Sequence, residues 1–419
     1  MGMGPIFSTD YAFECLRFKA WIAFSHFPFP APSRRHRSQA MNEIVLDHAS
    51  AQARAIARED MVACRLAFID CKLPGSDLKE NYSMIGPGVT QSDEQVVNLR
   101  EPHGFNIGAA AMPGGVTNNL HLHFSAEVFF IHSGLWKFRW GSDELAGELQ
   151  AGPGDVLSIP TWIFRGFSNV GDEHGWIFTA LGGDDTGGII WHPDVLSAAA
   201  GHGLFLGRDN TLVHGAPGQP PAGELIEPLN PADMAALPRY APAQMRRRVV
   251  AAQERDWSAG ALLGARACEL APVIGHGMSE DRAQAAPISN PHGFSVDWLR
   301  LAPGGATGRM RLREKQVLIV MQGEADLVLN GPGREVVLRL REQAVYSVPA
   351  GVWRELRQAG GEPATVISVC AGDQRKRIEW PADTLAQAAA RDVALDPDGY
   401  LARRSLLPDT ALGVGEARF

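Results

Sequence analysis

The amino-acid sequence predicts a mainly β protein in which two similar barrels are joined in one chain and flanked by helices. Short apolar or alternating segments, separated by glycine and proline turns, indicate the strands of a barrel or sandwich. The tetrapeptide at residues 102–105 (PHGF) recurs at residues 291–294, which indicates an internal duplication. A length of 419 residues suits two compact domains with extensions, and a hydrophobic content of 45% allows a large core.

The composition favours small-molecule partners. A net charge of −8 at pH 7 provides no basic footprint for nucleic acid or an anionic membrane, and no apolar run approaches the ~20 residues that span a bilayer. The cysteines form no CxxC pair and are odd in number, which favours a reducing compartment, so we expect a cytoplasmic protein. They are Cys15, Cys64, Cys71, Cys268 and Cys370.

The chain before the first barrel is predicted in three parts. Residues 1–40 are aromatic, proline-punctuated and then basic, which predicts a poorly ordered leader and makes Met41 a candidate native start. A targeting peptide is the alternative, although charged residues interrupt its apolar stretch. Residues 41–94 are predicted as a helical N-terminal extension, because apolar positions recur there at helical spacing. Within them, residues 79–88 (KENYSMIGPG) are predicted as a loop.

Residues 95–192 are predicted as the first, metal-binding barrel. His121 and His123 lie two positions apart in a strand-like segment, so both imidazoles point to one face, and Glu127 follows four residues later. Two neutral imidazoles and a carboxylate match the facial ligand set of non-heme iron, which leaves positions open for substrate and oxygen. The alternative is a His-x-His pair that lines a strand face without any metal.

Glycines flank this triad at fixed distances. Gly115 stands six residues before His121, and Gly134 stands seven residues after Glu127. The complete pattern, G-x5-H-x-H-x3-E-x6-G, resembles the first signature of the cupin superfamily without a departure. This resemblance favours the metal site over the plain strand face.

The second cupin signature, G-x5-P-x-G-x2-H-x3-N, is matched with two changes. Its retained positions are Gly154, Pro160 and Asn169. Trp162 replaces the inner glycine and Arg165 replaces the histidine, so the fourth metal ligand of a typical cupin is absent. Arginine cannot ligate a metal, because its guanidinium stays protonated. Either Arg165 holds an anionic substrate group beside a three-ligand site, or the site has decayed and Arg165 forms an internal ion pair with Glu127.

Residues 280–375 are predicted as a second, degenerate barrel. Counting forward from its glycine turn puts Arg311 and Arg313 at the histidine positions. Counting back from the next glycine puts Met310 and Leu312 there, with Gln316 in place of the glutamate. Neither register offers a histidine, so we expect this barrel to be free of metal.

Three further polar groups have structural interpretations. The arginines of the second barrel are expected on a solvated or salt-bridged strand face, with an anion pocket as the alternative. His103 and His292 belong to both copies of the repeated motif, which favours a turn role over catalysis. Asp184 and Asp185 are expected in a hairpin turn rather than in a cation site.

The remaining segments are predicted as connections. Residues 193–279 form a linker with helices, because they are helical in part and proline-rich in part. Residues 376–419 form a helical C-terminal extension, with Pro381 near the first helical turn.

The whole plan resembles a bicupin, a chain of two conical β barrels of the double-stranded β-helix or jelly-roll type. Among bicupins, one active N-terminal barrel and a degenerate second barrel are most similar to the gentisate 1,2-dioxygenase-like group. The resemblance implies an oxidoreductase that uses O2 on a small aromatic or carboxylated substrate, and it implies a homo-oligomer. Arg165 would be the catalytic residue that orients the anionic substrate, and aromatic residues would line its pocket. These are Trp162, Phe164, Phe129 and Phe138.

The reaction and the metal are open at this point. One divalent transition metal is expected at His121, His123 and Glu127, with Fe(II) preferred and Mn(II), Ni(II) or Zn(II) as alternatives. A redox-neutral decarboxylase, lyase or isomerase is a second hypothesis, in which Glu127 or another acid moves protons. A non-catalytic bicupin that binds a small ligand is the third.

Overall fold

The computed structural model describes residues 43–416, which belong to one compact unit of the chain, Met41–Phe419. The predicted leader and the candidate start at Met41 lie outside the described residues. The α-helices in the described part are α1 (His48–Gln52), α2 (Pro193–Gly201), α3 (Pro231–Ala236), α4 (Pro242–Arg246), α5 (Ala382–Ala389) and α6 (Asp409–Glu416). None of these helices has the length and apolar composition that crossing a membrane requires.

Strands make up most of the ordered elements. In the first half they are β1 (Ala55–Ile56), β2 (Glu80–Ile85), β3 (Val97–Leu99), β4 (Phe105–Met112), β5 (Thr117–His123), β6 (Glu127–Ser133), β7 (Trp136–Trp140), β8 (Gly147–Ala151), β9 (Val156–Ile159), β10 (Arg165–Asn169), β11 (Gly175–Gly182) and β12 (Ile189–Trp191).

The second half continues this pattern. Its strands are β13 (Leu204–Leu206), β14 (Leu212–His214), β15 (Val249–Val250), β16 (Arg266–Ile274), β17 (Phe294–Ala306), β18 (Gln316–Gln322), β19 (Glu324–Leu329), β20 (Val336–Leu340), β21 (Val345–Val348), β22 (Arg354–Ala359), β23 (Ala364–Ala371), β24 (Val393–Leu395) and β25 (Leu401–Arg403).

The first barrel consists of two sheets that face each other. One sheet has the order β12-β5-β10-β7-β8, and the other has the order β15-β9-β6-β11-β4-β2-β3. Side chains alternate between the two faces of each strand, so Trp136, Phe138 and Trp140 of β7 are buried between half-exposed neighbours. Together with Phe129 and Phe167 they fill the barrel interior.

The second barrel is one continuous sheet of nine strands. Its order is β1-β21-β18-β23-β17-β22-β19-β20, and β16 pairs with β17. The long strand β17 reaches both faces, because it pairs with β23 along residues 294–301 and with β22 at Ala306. A core between the two barrels contains Val128 and Phe130 of β6 and Val317 and Ile319 of β18, which point away from their own barrel interiors.

The barrels exchange their edge strands. β1 precedes the first barrel in the chain but pairs with β21 of the second barrel, where Ile56 lies opposite Val345. β15 precedes the second barrel but pairs with β9 of the first barrel, where Val250 lies opposite Val156. The duplication predicted from the repeated motif is therefore present in the fold, and each half completes the sheet of the other.

The repeated PHGF motif forms matching contacts between the barrels. The Nε2 atom of His103 lies 2.6 Å from the Oγ atom of Ser347, and the Nε2 atom of His292 lies 2.7 Å from the Oγ atom of Ser158. The backbone N–H of His103 donates to Asp184 at 2.7 Å. These contacts agree with the structural interpretation of both histidines and of the Asp184 turn.

The N-terminal extension contains less helix than predicted. Between residues 43 and 94 the helical elements are the five-residue α1 and two 3-10 helices, Arg58–Asp60 and Ile69–Lys72. Residues 80–85, predicted within a loop, form β2 and pair with β4. The prediction of helix from the alanine-rich pattern was wrong, because helix propensity is a weak preference that pairing with a sheet overrides. Apart from the exchanged strands β1 and β15, the strands of the two barrels begin at residues 80 and 266, earlier than the predicted boundaries of 95 and 280.

The linker and the C-terminal extension are only partly helical. The predicted helix near residues 194–203 is present as α2. Pro381 is the N-cap residue of α5, which ends at Ala389. The chain then turns through Asp392, whose φ angle is +60°, and continues as the hairpin β24–β25 rather than as a helix.

Candidate metal centre

The two histidines and the glutamate predicted as ligands come together in the first barrel. His121 and His123 lie at the end of β5, and Glu127 is the first residue of β6, so a short turn brings the carboxylate back to the imidazoles. One ligand atom from each residue lies within 4.8 Å of the others, and all three residues are buried. The Nε2 atom of His123 lies 3.4 Å from the Oε2 atom of Glu127.

The donor atoms fit a divalent metal. The Nδ1 atom of His121 lies 2.6 Å from the backbone oxygen of Asn119, which fixes the proton on Nδ1 and leaves Nε2 as the ligand atom. The Oε2 atom of Glu127 is buried and accepts no hydrogen bond. A buried carboxylate oxygen without a donor is costly unless a cation faces it. Arg165 faces this oxygen at 3.6 Å, beyond hydrogen-bonding distance, and a metal between the three side chains would add a second cation.

The protonation states also suit metal binding. Burial lowers the pKa of His121 well below its usual value, and burial lowers the pKa of His123 although Glu127 opposes the shift. Burial alone would raise the pKa of Glu127, but His123 and Arg165 together hold it below its usual value. Neutral imidazoles and an ionised carboxylate are the forms that ligate metals.

Arg165 stands beside the triad, opposite His121 in the β5–β10 pairing. Its side chain is 0% exposed. The Nη2 atom donates to the backbone oxygen of Pro160 at 2.6 Å, and the Nη1 atom lies 3.6 Å from the Oε2 atom of Glu127. Burial lowers the pKa of Arg165 to about 10, so the guanidinium stays charged at neutral pH. The contact between Arg165 and Glu127, one of the two alternatives that the sequence left open, is therefore present.

A cavity of about 50 Å³ opens next to the triad. His121, His123 and Glu127 line it, together with Phe68, Lys79 and Phe167. Arg165 is absent from its walls. The N-terminal extension thus contributes to the site, which the sequence did not predict.

The four aromatic residues expected around a substrate do not line this cavity. Phe129 and Phe138 stack with centroids 4.8 Å apart in the barrel core. Phe164 packs against His192 at 5.0 Å, on the side of the barrel that faces the linker. Trp162 packs against Phe124 at 5.1 Å and has a φ angle of +59°. That left-handed backbone explains why the cupin pattern has glycine at this position.

A buried polar network surrounds His121 and reaches the cavity wall through Lys79 and Asn118. The Nζ atom of Lys79 lies 2.5 Å from the Oδ1 atom of Asp70 and donates to the Oδ1 atom of Asn118. The other Asp70 oxygen accepts from the backbone N–H of Asn119 at 3.1 Å. This network holds the backbone oxygen that orients His121. Sequence reasoning missed it, because nothing local marks Asp70 and Lys79 as neighbours of β5.

The second barrel carries different side chains at the equivalent positions. One constant offset relates the matched contacts of the two halves, and it selects the register that places Met310, Leu312 and Gln316 at the ligand positions. Arg354 corresponds to Arg165, and its Nε atom donates to the Oε1 atom of Gln316 at 3.0 Å.

Several of the second-barrel arginines form ion pairs, as the salt-bridged interpretation expects. Arg309 lies 3.3 Å from Glu335 and Arg357 lies 2.7 Å from Glu355. Arg311 pairs with Glu379.

Comparisons with known proteins identify the fold. No protein-family model and no curated protein matches the sequence. A variant of the Bacillus subtilis oxalate decarboxylase is 12% identical with a TM-score of 0.52, over 92% of this chain and 94% of that chain. The Lactobacillus farciminis oxalate decarboxylase in a formate complex is 12% identical with a TM-score of 0.50, over 80% and 90%. Vicilin from Capsicum annuum is 11% identical with a TM-score of 0.50, over 79% and 89%.

At these identities the likeness concerns the fold alone. The chain has the predicted mainly β architecture of two cupin barrels. None of the three proteins is a gentisate dioxygenase, so the finer likeness to that group stays a prediction.

Proposed function

We propose that this bicupin is a metal-dependent enzyme that transforms a small carboxylate at His121, His123 and Glu127. The observation that supports it is the convergence of three buried donor atoms within 4.8 Å at the wall of a cavity. A buried cluster of ionisable side chains at a cavity wall is a candidate functional site. The proposal keeps the small carboxylated substrate and the metal that the sequence suggested.

Fe(II) is the first candidate for the metal, and the reaction with O2 is the first candidate for the chemistry. When bound by two histidines and one carboxylate, Fe(II) supplies open positions and electron transfer between a substrate and O2. Mn(II), Ni(II) and Zn(II) remain alternatives. The protein itself keeps the two imidazoles neutral and the carboxylate ionised, and it excludes bulk water from the barrel interior.

The size of the cavity limits which substrates could enter without movement of its walls. An apolar cavity that binds benzene has a volume of ~150 Å³, whereas this cavity measures about 50 Å³. Oxalate has as many non-hydrogen atoms as a benzene ring. A small dicarboxylate and an aromatic substrate of the gentisate type would therefore both require the walls to open.

A redox-neutral decarboxylase is the second candidate. Two of the structures with this fold are named as oxalate decarboxylases. In such a reaction Glu127 or Glu80, which are the acids on the cavity wall, would move the proton.

Metal analysis combined with a substrate screen tests the proposal. The purified chain should contain about one equivalent of a transition metal, or take it up after reconstitution. Small carboxylates and phenolic acids are then offered with and without O2. Turnover that requires O2 supports the dioxygenase, and turnover under strict anaerobiosis supports the decarboxylase. A protein that cannot be loaded with any metal contradicts both.

His121→Ala separates these enzymes from a non-catalytic binding protein. We expect the variant to lose metal and activity, since the ligand that Asn119 orients is gone. Unchanged metal content and unchanged ligand binding in this variant would instead support the binding-protein hypothesis.

We also propose a cytoplasmic location and a homo-oligomeric state. Within residues 43–416 the cysteines are free thiols and buried, which suits the reducing cytoplasm. A homo-oligomer is expected, and gel filtration with light scattering measures it.

A further inference from the structure

We infer that Lys79, rather than Arg165, is the cation that holds the carboxylate of the substrate at this centre. The inference rests on the proposed function and adds to it a specificity-determining residue. It assigns an anchoring role to the N-terminal extension, outside both cupin signatures.

Lys79 is placed where a substrate anion would arrive. It immediately precedes β2 and is only 4% exposed. Its side chain lines the same cavity as His121, His123 and Glu127. A substrate that reaches the metal ligands through this cavity therefore meets Lys79 on its wall.

The ammonium group retains capacity for one more acceptor. Lysine offers three N–H donors. Asp70 takes one at 2.5 Å and Asn118 takes another, while no third acceptor lies in hydrogen-bonding position among the described residues. The ring of Phe68, at 4.9 Å, closes one side of the ammonium. A carboxylate oxygen in the cavity would complete its coordination.

Arg165 is less suited to this role. Its Nη2 atom is bonded to Pro160, and its Nη1 atom faces Glu127 at 3.6 Å. Because the guanidinium is fully buried and absent from the cavity wall, a substrate in the cavity does not meet it. Its positive charge instead compensates the negative charge of Glu127.

The balance of charge favours an anionic occupant. Lys79 pairs with Asp70, and Arg165 faces Glu127, so these four residues sum to zero. Histidines that ligate a metal do so in the neutral form. A divalent ion at the triad would leave two positive charges in a buried site. Binding a small monoanion or dianion there reduces the uncompensated charge.

Binding of small anions to the Mn(II)-loaded protein tests the inference. Oxalate and acetate serve as probes, with acetamide as the neutral control, and calorimetry measures their dissociation constants. The main variant is the double substitution Lys79→Met with Asp70→Asn, because it leaves no unpaired buried charge. Because the same network orients His121, we expect some loss of Mn(II) affinity, and we expect the affinity of the Mn(II)-loaded variant for oxalate to fall at least tenfold more than its Mn(II) affinity does. Asp70→Asn alone, which keeps Lys79, should weaken oxalate binding less than the double variant does.

Three results would overturn the inference. The double variant could bind oxalate as tightly as the wild type. It could lose Mn(II) affinity to the same degree as anion affinity, which would make Lys79 a support for His121 only. The wild type could bind Mn(II) but neither anion. A wild type that binds no metal at all would instead contradict the proposed function, so the two failures are distinguishable.

Discussion

At the scale of single residues, the two barrels show which side chain distinguishes a metal centre from a plain interior. Both contain a fully buried arginine at the same position, and both arginines bond to the backbone two residues earlier, Arg165 to Ile163 and Arg354 to Val352. The difference lies in the facing residue, which is Glu127 in the first barrel and Gln316 in the second. The arginine alone is therefore no mark of a substrate site.

This comparison predicts the effect of Glu127→Gln. The substitution recreates the arginine–glutamine pair of the second barrel, so the free energy of unfolding should change by about 1 kcal/mol or less. Metal affinity should fall by more than the ~10–100-fold that is typical when a residue hydrogen-bonded to a metal ligand is removed. Urea unfolding and metal analysis measure the two effects. Glu80→Gln, at an acid on the same cavity wall, is the control and should keep its metal.

Glu127→Ala should behave differently. It removes the metal ligand, and it leaves the buried guanidinium of Arg165 with neither a counter-charge nor a hydrogen-bond acceptor at this position, which costs ~3–5 kcal/mol. Equal stability of the alanine and glutamine variants would show that the glutamine amide does not replace the carboxylate as a partner of Arg165.

Asp297 predicts a pH dependence of stability within the second barrel. Burial raises the pKa of this carboxyl to about 7, although the N–H of Met278 and the charge of Lys376 oppose the shift. The folded chain therefore keeps a proton that the unfolded chain has released, and this group's contribution to stability falls as pH rises from about 4 to about 7.

Asp297→Asn should remove this dependence. The unfolding free energy of the variant, minus that of the wild type, should increase between pH 4 and pH 7 and remain level above that range. Urea unfolding at a series of pH values measures the difference. Ser295→Ala, a neutral change at a nearby buried residue, should give a difference that does not vary with pH. A flat difference for Asp297→Asn would show that the carboxyl is ionised throughout.

At the scale of elements, the exchanged strands couple the unfolding of the two barrels. Ile56 of β1 is 3% exposed and packs into the core between the barrels. Ile56→Ala should therefore cost ~2–5 kcal/mol, while the milder Ile56→Val should cost ~0.5–1.5 kcal/mol. We expect calorimetry to show one transition that moves as a whole to lower temperature. A second transition, separating in the alanine variant only, would mean that the barrels unfold independently.

Elements also differ in how well the sequence could predict them. The strand β5 and the turn into Glu127 were predictable, because residue alternation and the spacing of ligands are local properties. β2 was not, because its residues belong to a sheet only through pairing with β4. The alanine-rich segment before it contains β1, whose partner β21 lies in the other half of the chain. Pairing between segments so distant in the sequence leaves no local pattern.

At the scale of the whole molecule, the repeat was the most informative feature of the sequence. The offset between the two PHGF motifs predicted the duplicated fold, and the same offset relates His103 and Ser158 to His292 and Ser347. The ligand triad was predictable for the same reason, since its spacing is fixed. The buried pair of Asp70 and Lys79 was not predictable, because its importance comes from contact with residues about forty positions away.

The exchange of edge strands also limits the evolutionary routes by which such a duplicated chain can form. Each helix–strand arm, α1 with β1 and α4 with β15, completes the barrel that does not follow it in the chain. A single-barrel ancestor with one arm would satisfy its open edge only by taking the arm of a second copy, as in a domain-swapped dimer. Fusion of two such copies gives the present connectivity without rearranging any strand. Once fused, one copy could lose its ligands while its arm remained necessary to the other.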